Sequence, residues 1–125
     1  MGIKYVKEDK QYFLLQTYSY YDEEIPTKVA MLKKIQAMPH IVTIHCGFTW
    51  DGPSGFVTIQ TENSMRASLV HDALYTLIKE KVYPASFRKT ADKILRRILR
   101  RDGMSWFRSE AWYVAVRLFG WRHVR

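Results

Sequence analysis

The stretch RASLVHDALY, residues 66–75, seats a His beside an Asp inside an otherwise apolar run, with Tyr75 four residues beyond His71. Residues four apart share one face of a helix, so His71 and Tyr75 stack. Asp72 is turned about 100° from His71, so the two neighbours do not relay a proton to each other. They address two sides of one cavity, the His holding a water and the Asp a cation. Further along, Asp92 stands in TAD as a lone acid ahead of an apolar stripe. In an antiparallel hairpin of the two helices, Asp92 comes alongside His71. A carboxylate bonded to one imidazole nitrogen fixes the tautomer and raises the basicity of the other. Tyr75 can steady the same carboxylate. His71, Asp92 and Tyr75 are therefore the candidate catalytic residues, a general base for activating water.

A plainer reading stands beside this one. A His on an apolar helix is often a satisfied core residue, Tyr75 packs well on its own, and Asp92 can pair with Arg66, Arg96 or Arg117. A third reading takes His45, His71, Asp72 and Asp92 in the His…His-Asp…Asp order of metal phosphohydrolases. It needs two bridged metals, and His45 reads as a strand residue.

The elements that must hold these groups change character along the chain. QYFLLQTYSYY alternates aromatic and polar residues, as a half-buried strand does. VAMLKKIQAM fits either a short helix or a strand, and Pro39 ends it. HIVTIHCGFTW is β-branched and alternating, hence a strand, and DGPSG is a turn. From there the pattern is helical. Asn63 or Ser64 can cap a helix through MRASLVHDALYTLIKEK, with Leu69, Leu74, Leu77 and Ile78 on one side. Ser86 can cap FRKTADKILRRILRR, whose stripe is Ile94, Leu95, Ile98 and Leu99 and whose end is followed by Gly103. SWFRSEAWYVAVRLF forms a third helix, ending at Gly120. The expected fold is α+β: a small N-terminal antiparallel sheet followed by three packed helices, in one domain spanning 1–125, mainly β over 1–60 and helical over 61–121.

The 125 residues are 47% hydrophobic and 26% charged, which excludes a disordered chain. The N-terminus lacks the apolar stretch of a signal peptide, which points to folding in the cytoplasm. The single cysteine, Cys46, excludes an internal disulfide framework and a cysteine-built zinc site, and reads as a small buried residue. Twenty Lys and Arg against twelve Asp and Glu give +8, which favours an acidic partner. No zinc-finger spacing, phosphate loop or aromatic RNA-binding signature points to specific nucleic-acid recognition. The basic helices and surface Trp residues suit an anionic phospholipid surface, although core packing is expected for at least two of Trp106, Trp112 and Trp121.

Two resemblances follow from the motifs. GFTWDGPSG, RASLVHDALY, TADKILRRIL and AVRLFG occur here in the order found in a phage and prophage family of unknown function. That family typically reads Gly-Phe-x-x-Asp-Gly-Ala-Ser, His-Asp-x-Leu-Tyr, Ala-Asp and Val-Arg-x-Phe-Gly. This chain departs from it at Pro53, Gly55 and Phe56. The resemblance implies a phage origin, a protein of the host cytoplasm or packaged in the virion, and a phage structural or host protein as partner. It implies no activity. His-Asp-x-x-Tyr on one helix and Ala-Asp on the next also resembles the core of phospholipase A₂, closest to the disulfide-free domain of parvovirus capsids. There the His activates water, the adjacent Asp binds calcium, and the later Asp and a Tyr support the His. Carried over, the resemblance makes His71 the base, Asp72 the calcium ligand, and Asp92 with Tyr75 the support. Carbonyls of Gly52 and Gly55 in DGPSG would complete the calcium site, an all-oxygen set that a hard cation favours. DGPSG lacks the longer Gly-rich pattern of those enzymes. The two functions left in competition are calcium-assisted ester hydrolysis and a non-enzymatic phage component whose polar residues fix helix packing.

Overall fold

Alternating residues make short strands in the first part of the chain, and a helical period takes over in the second. The computed structural model describes residues 2–51 and 62–124. The expected DGPSG turn, with Gly52 and Gly55, lies outside the described residues. The chain divides into two units, Met1–Asp51 and Gly52–Arg125. The first holds β1 (Tyr5–Glu8), β2 (Gln11–Leu14), β3 (Tyr18–Tyr21), β4 (Ala30–Met31), β5 (Ile35–Met38), β6 (Ile41–Ile44) and β7 (Thr49–Trp50). The second holds α1 (Glu62–Lys79), α2 (Arg88–Arg101) and α3 (Trp106–Phe119). The architecture is α+β, an antiparallel β region followed by three helices.

The β region forms two sheets rather than one, with strand orders β1-β2-β7 and β3-β6-β5-β4. QYFLLQTYSYY is not one strand. It breaks after Leu14, and the chain changes partners: Tyr12 faces Trp50 in the first sheet, whereas Tyr20 faces Val42 in the second. VAMLKKIQAM resolves into the β4–β5 hairpin, with Ala30 opposite Ala37. Ile35 and Ala37 are both buried, the period of two that a strand requires. Pro39 ends β5, and His40 takes a left-handed φ of 62° into β6. That conformation is held by its Nδ1, 2.8 Å from the Ile25 carbonyl. HIVTIHCGFTW likewise divides, into β6 and β7. Cys46 is exposed, not buried. Alternation carried past Ile44 would turn it inward, but β6 stops there and Gly47, at φ 94°, redirects the chain.

In the second unit α1 is buried almost all round: between Ser64 and Ile78 only Arg66, Asp72 and Thr76 are partly exposed. It starts at Glu62, so residues 63 and 64 lie inside it and neither is the cap. Its C-terminus closes with Lys81 N–H to Ile78 O and Val82 N–H to Leu77 O, with Lys81 left-handed at φ 68°. This is the closing pattern usually built on Gly. The same pattern at the end of α2 does use glycine, Gly103 at φ 98°. Ser86 caps nothing. It lies in a 3-10 turn, Ala85–Phe87, that leads directly into α2 at Arg88. Ile94, Leu95, Ile98 and Leu99 are buried as the spacing requires, each contributing about 1.5–3 kcal/mol. Ser105 caps α3, its hydroxyl accepting from Arg108 N–H. Among the described residues no helix is long and apolar enough to cross a membrane.

Candidate active site

Hydrogen bonds fix the helix directions. Near the start of α1, Arg66 forms a two-pronged bond to Asp102 just after α2, at 3.0 and 2.8 Å. Midway, His71 meets Asp92, and toward the end of α1 Tyr75 meets Arg88 at the start of α2. The two helices therefore run antiparallel. Arg100 to Ser109 at one end and Asp92 to Arg117 at the other set α3 antiparallel to α2. Asp92 thus lies where all three helices can reach it.

Its carboxylate is fully buried, within the apolar stripe of α2. Oδ1 lies 2.7 Å from His71 Nε2 and also accepts from the Tyr75 hydroxyl. Oδ2 accepts from Arg117 Nη1 at 2.8 Å, with Arg88 Nη1 at 3.6 Å. Of the three arginines expected as partners, Arg117 is the one that bonds Asp92. Arg66 holds Asp102, and Arg96 holds Glu110. Burial drives the Asp92 carboxyl upward. The hydrogen bond and charge of His71, then the bonds from Tyr75 and Arg117, outweigh it and hold the pKa below its ordinary 3.8. Tyr75 moves the other way: burial first, then the charge of Asp92 and the bond to it, raise the phenol well above 10.0. Asp92 therefore acts as an anionic acceptor, and Tyr75 as a fixed donor.

In a neutral His71 ring, the bond to an anionic Asp92 would put the hydrogen on Nε2 and leave the lone pair on Nδ1. Nδ1 makes no hydrogen bond to a described residue. The imidazole ring lies 4.0 Å from the Tyr75 ring, as expected for residues four apart. His71 is only 4% exposed. Asp72 is half-buried, and its backbone carbonyl accepts from Thr76 Oγ1 at 2.8 Å. Among the described residues no three His, Cys, Asp or Glu side chains gather as a metal site. Gly52 and Gly55, the other expected metal ligands, lie outside the described residues.

The family described as "Protein of unknown function (DUF1353)" matches residues 27–116, well over half the chain. The chain belongs to the DUF1353 family. No curated protein and no solved structure matches it. In this DUF1353 protein the matched region contains His71, Asp72, Tyr75, Arg88 and Asp92 and stops one residue before Arg117.

Sequence reasoning missed two groups at this site. Arg88, at the first position of α2, donates to the Val116 carbonyl at 2.9 Å and the Arg117 carbonyl at 3.3 Å, tying down the end of α3. Nothing in the sequence around Arg88 marked this, because Arg88 opens α2 and meets the C-terminal carbonyls of α3 only in the fold. Gly120, read only as a helix end, is a close-approach residue. A Cβ there would lie 2.5 Å from the Tyr75 hydroxyl and 3.2 Å from Arg88 Nη1. Its φ of −65° suits any residue, so Gly120→Ala tests crowding alone. It is expected to lower unfolding stability by about 1–3 kcal/mol, measured by urea denaturation, because the Tyr75–Asp92–Arg88 cluster must shift.

Proposed function

We propose that this protein is a hydrolase of lipid esters, with His71 as general base. The observation that carries the reading is the polarity of the imidazole. Nε2 lies 2.7 Å from the buried Asp92 carboxylate, so a neutral ring would donate from Nε2 and present its lone pair at Nδ1. A water at Nδ1 gives up a proton to it as the water oxygen bonds to the ester carbonyl carbon. The tetrahedral intermediate then expels the alcohol, which takes the proton back from Nδ1. Asp92 keeps the ring oriented and stabilises the imidazolium. Tyr75, Arg117 and Arg88 keep Asp92 fixed and anionic. This is the arrangement that the resemblance to phospholipase A₂ implies for His71, Asp92 and Tyr75.

Asp72, half-buried on α1, would supply the carboxylate of a calcium site, and carbonyls of Gly52 and Gly55, which lie outside the described residues, would make the set all-oxygen, as calcium favours. Bound there, calcium would stabilise the oxyanion of the intermediate. The test is release of fatty acid from phosphatidylglycerol, measured in millimolar calcium and in chelator. Hydrolysis is expected in calcium and at least tenfold less in chelator. Asp72→Asn should raise the calcium needed, because removing a charged ligand weakens a hard-cation site. Wild-type protein with no hydrolysis in either condition overturns the proposal.

One observation favours a second reading. His71 is nearly sealed, and Asp92 gathers two guanidiniums besides His71 and Tyr75. A buried polar network of this kind fixes helix packing without catalysis. On that reading the protein is a phage-encoded component of the virion, or a binder of a host protein, with its positive charge serving to dock on an acidic neighbour.

A further inference from the structure

α3 turns one apolar line away from the rest of its unit. Phe107, Ala111, Val114 and Leu118 follow one another at intervals of four, three and four along α3, with Trp121 three further on in the 3-10 turn Gly120–His123, and all are exposed. Phe107 is 80% exposed, Leu118 60% and Val114 52%. Trp106 and Phe119 flank the line and are also open. Only Trp112 of the three C-terminal tryptophans is buried, contrary to the expectation that at least two would pack in the core. The helical period explains this: Trp112 shares the inward face with Ser109 and Val116, whereas Trp106 and Trp121 lie off it. At 1.5 Å per residue the ridge from Phe107 to Leu118 runs about 16 Å. A monomeric soluble protein rarely leaves so continuous an apolar patch uncovered.

The charge around the ridge selects what covers it. Arg122 lies 5.8 Å from the Phe119 and Trp121 rings, and Arg100 lies 5.7 Å from Trp106. The one acid in α3 and the turn after it, Glu110, is held by Arg96 at 3.1 Å and Arg100 at 3.0 Å. The rim is therefore cationic at both ends, where the tryptophans are. Trp and Phe in line with flanking Arg is the pattern of a helix lying in the plane of an anionic bilayer surface, rings at headgroup depth. A second copy fits less well. The 4-3 spacing lasts two heptads, short of the three or four that mark a coiled coil, and pairing would bring two basic rims of chains at +8 together.

We infer that the outer face of α3 docks the protein on anionic phospholipid, with Phe107 and Leu118 inserted and Arg122 on the headgroups. The choice of lipid rests on the lipid-ester reading of the His71 site. The test sediments the full chain with vesicles of phosphatidylglycerol and phosphatidylcholine, and with phosphatidylcholine alone. Wild type should pellet with the anionic vesicles, less so at high salt. The double variant Phe107→Ser, Leu118→Ser should bind roughly tenfold or more weakly, about 1.4 kcal/mol or more. It should keep the wild-type melting temperature and its rate on a soluble short-chain ester. No binding to anionic vesicles, or equal binding by the double variant, overturns the proposal. So does a wild-type dimer that the double variant abolishes with no vesicle binding, which would assign the ridge to a second copy. Vesicle binding without hydrolysis of any ester upholds this face and counts against the hydrolase alone. Hydrolysis of the soluble ester without vesicle binding does the reverse.

Discussion

Asp92→Ala is expected to cost about 3–5 kcal/mol of folding stability, the largest loss from any single change in the helical unit. The carboxylate is fully buried and accepts from His71, Tyr75 and Arg117, with Arg88 beside it. Removing it leaves a guanidinium, a phenol hydroxyl and an imidazole N–H facing an apolar stripe without their acceptor. Asp92→Asn keeps an oxygen but replaces acceptor capacity with an NH₂ that points at donors, so about 1–3 kcal/mol is expected. Urea unfolding of the two variants beside wild type measures both values. If Asp92→Ala is as stable as wild type, the convergence on this carboxylate does not hold the helices together.

The same carboxylate sets an acid limit. Its folded pKa lies below the ordinary 3.8, so the charged form is favoured by folding. The stabilisation is complete above the unfolded value and disappears as pH falls through the depressed folded one. The gap in stability between wild type and Asp92→Asn should therefore narrow as pH falls below about 4, where the unfolded chain takes up protons before the folded carboxylate does. A gap unchanged through the acid range would contradict a depressed carboxyl at Asp92.

The helical half was legible in the sequence because its periods are long. The stripe from Ile94 to Leu99 marks α2, and Ser105 and Gly120 mark the two ends of α3. So was the meeting of His71 and Asp92, since a short break between two apolar helices leaves an antiparallel hairpin as the simple arrangement. The strands were less legible. β4 and β7 are two residues each, too short for alternation to mark, and the change of sheet after Leu14 is a tertiary choice. The helix ends were misread where the local signal was absent or false. Lys81 takes the left-handed position that Gly usually marks, and Ser64 and Ser86 resemble caps but occupy a helix interior and a 3-10 turn. Arg88 and Gly120 escaped notice because their roles are to reach the carbonyls of α3 and to leave room for Tyr75. Neither role has a spacing within its own element.

The second large effect concerns His71. Because Nε2 is the nitrogen bonded to Asp92, His71→Gln is the fitting substitution, its amide nitrogen standing near the place of Nε2 and able to donate to the same oxygen. What Gln lacks is Nδ1, the nitrogen assigned to the water. The variant should keep the fold, with a melting temperature within a few degrees of wild type, while losing the general base. Loss of such a base typically costs about 10² to 10⁴ in rate. The direct measurement is fatty-acid release from phosphatidylglycerol by wild type and His71→Gln, side by side in calcium, with both shown to be folded. A wild-type rate at least 100-fold above that of the variant is the predicted result. Equal rates from two folded proteins, or no release by either, would contradict His71 as the base and leave the His71–Asp92 pair as a packing device.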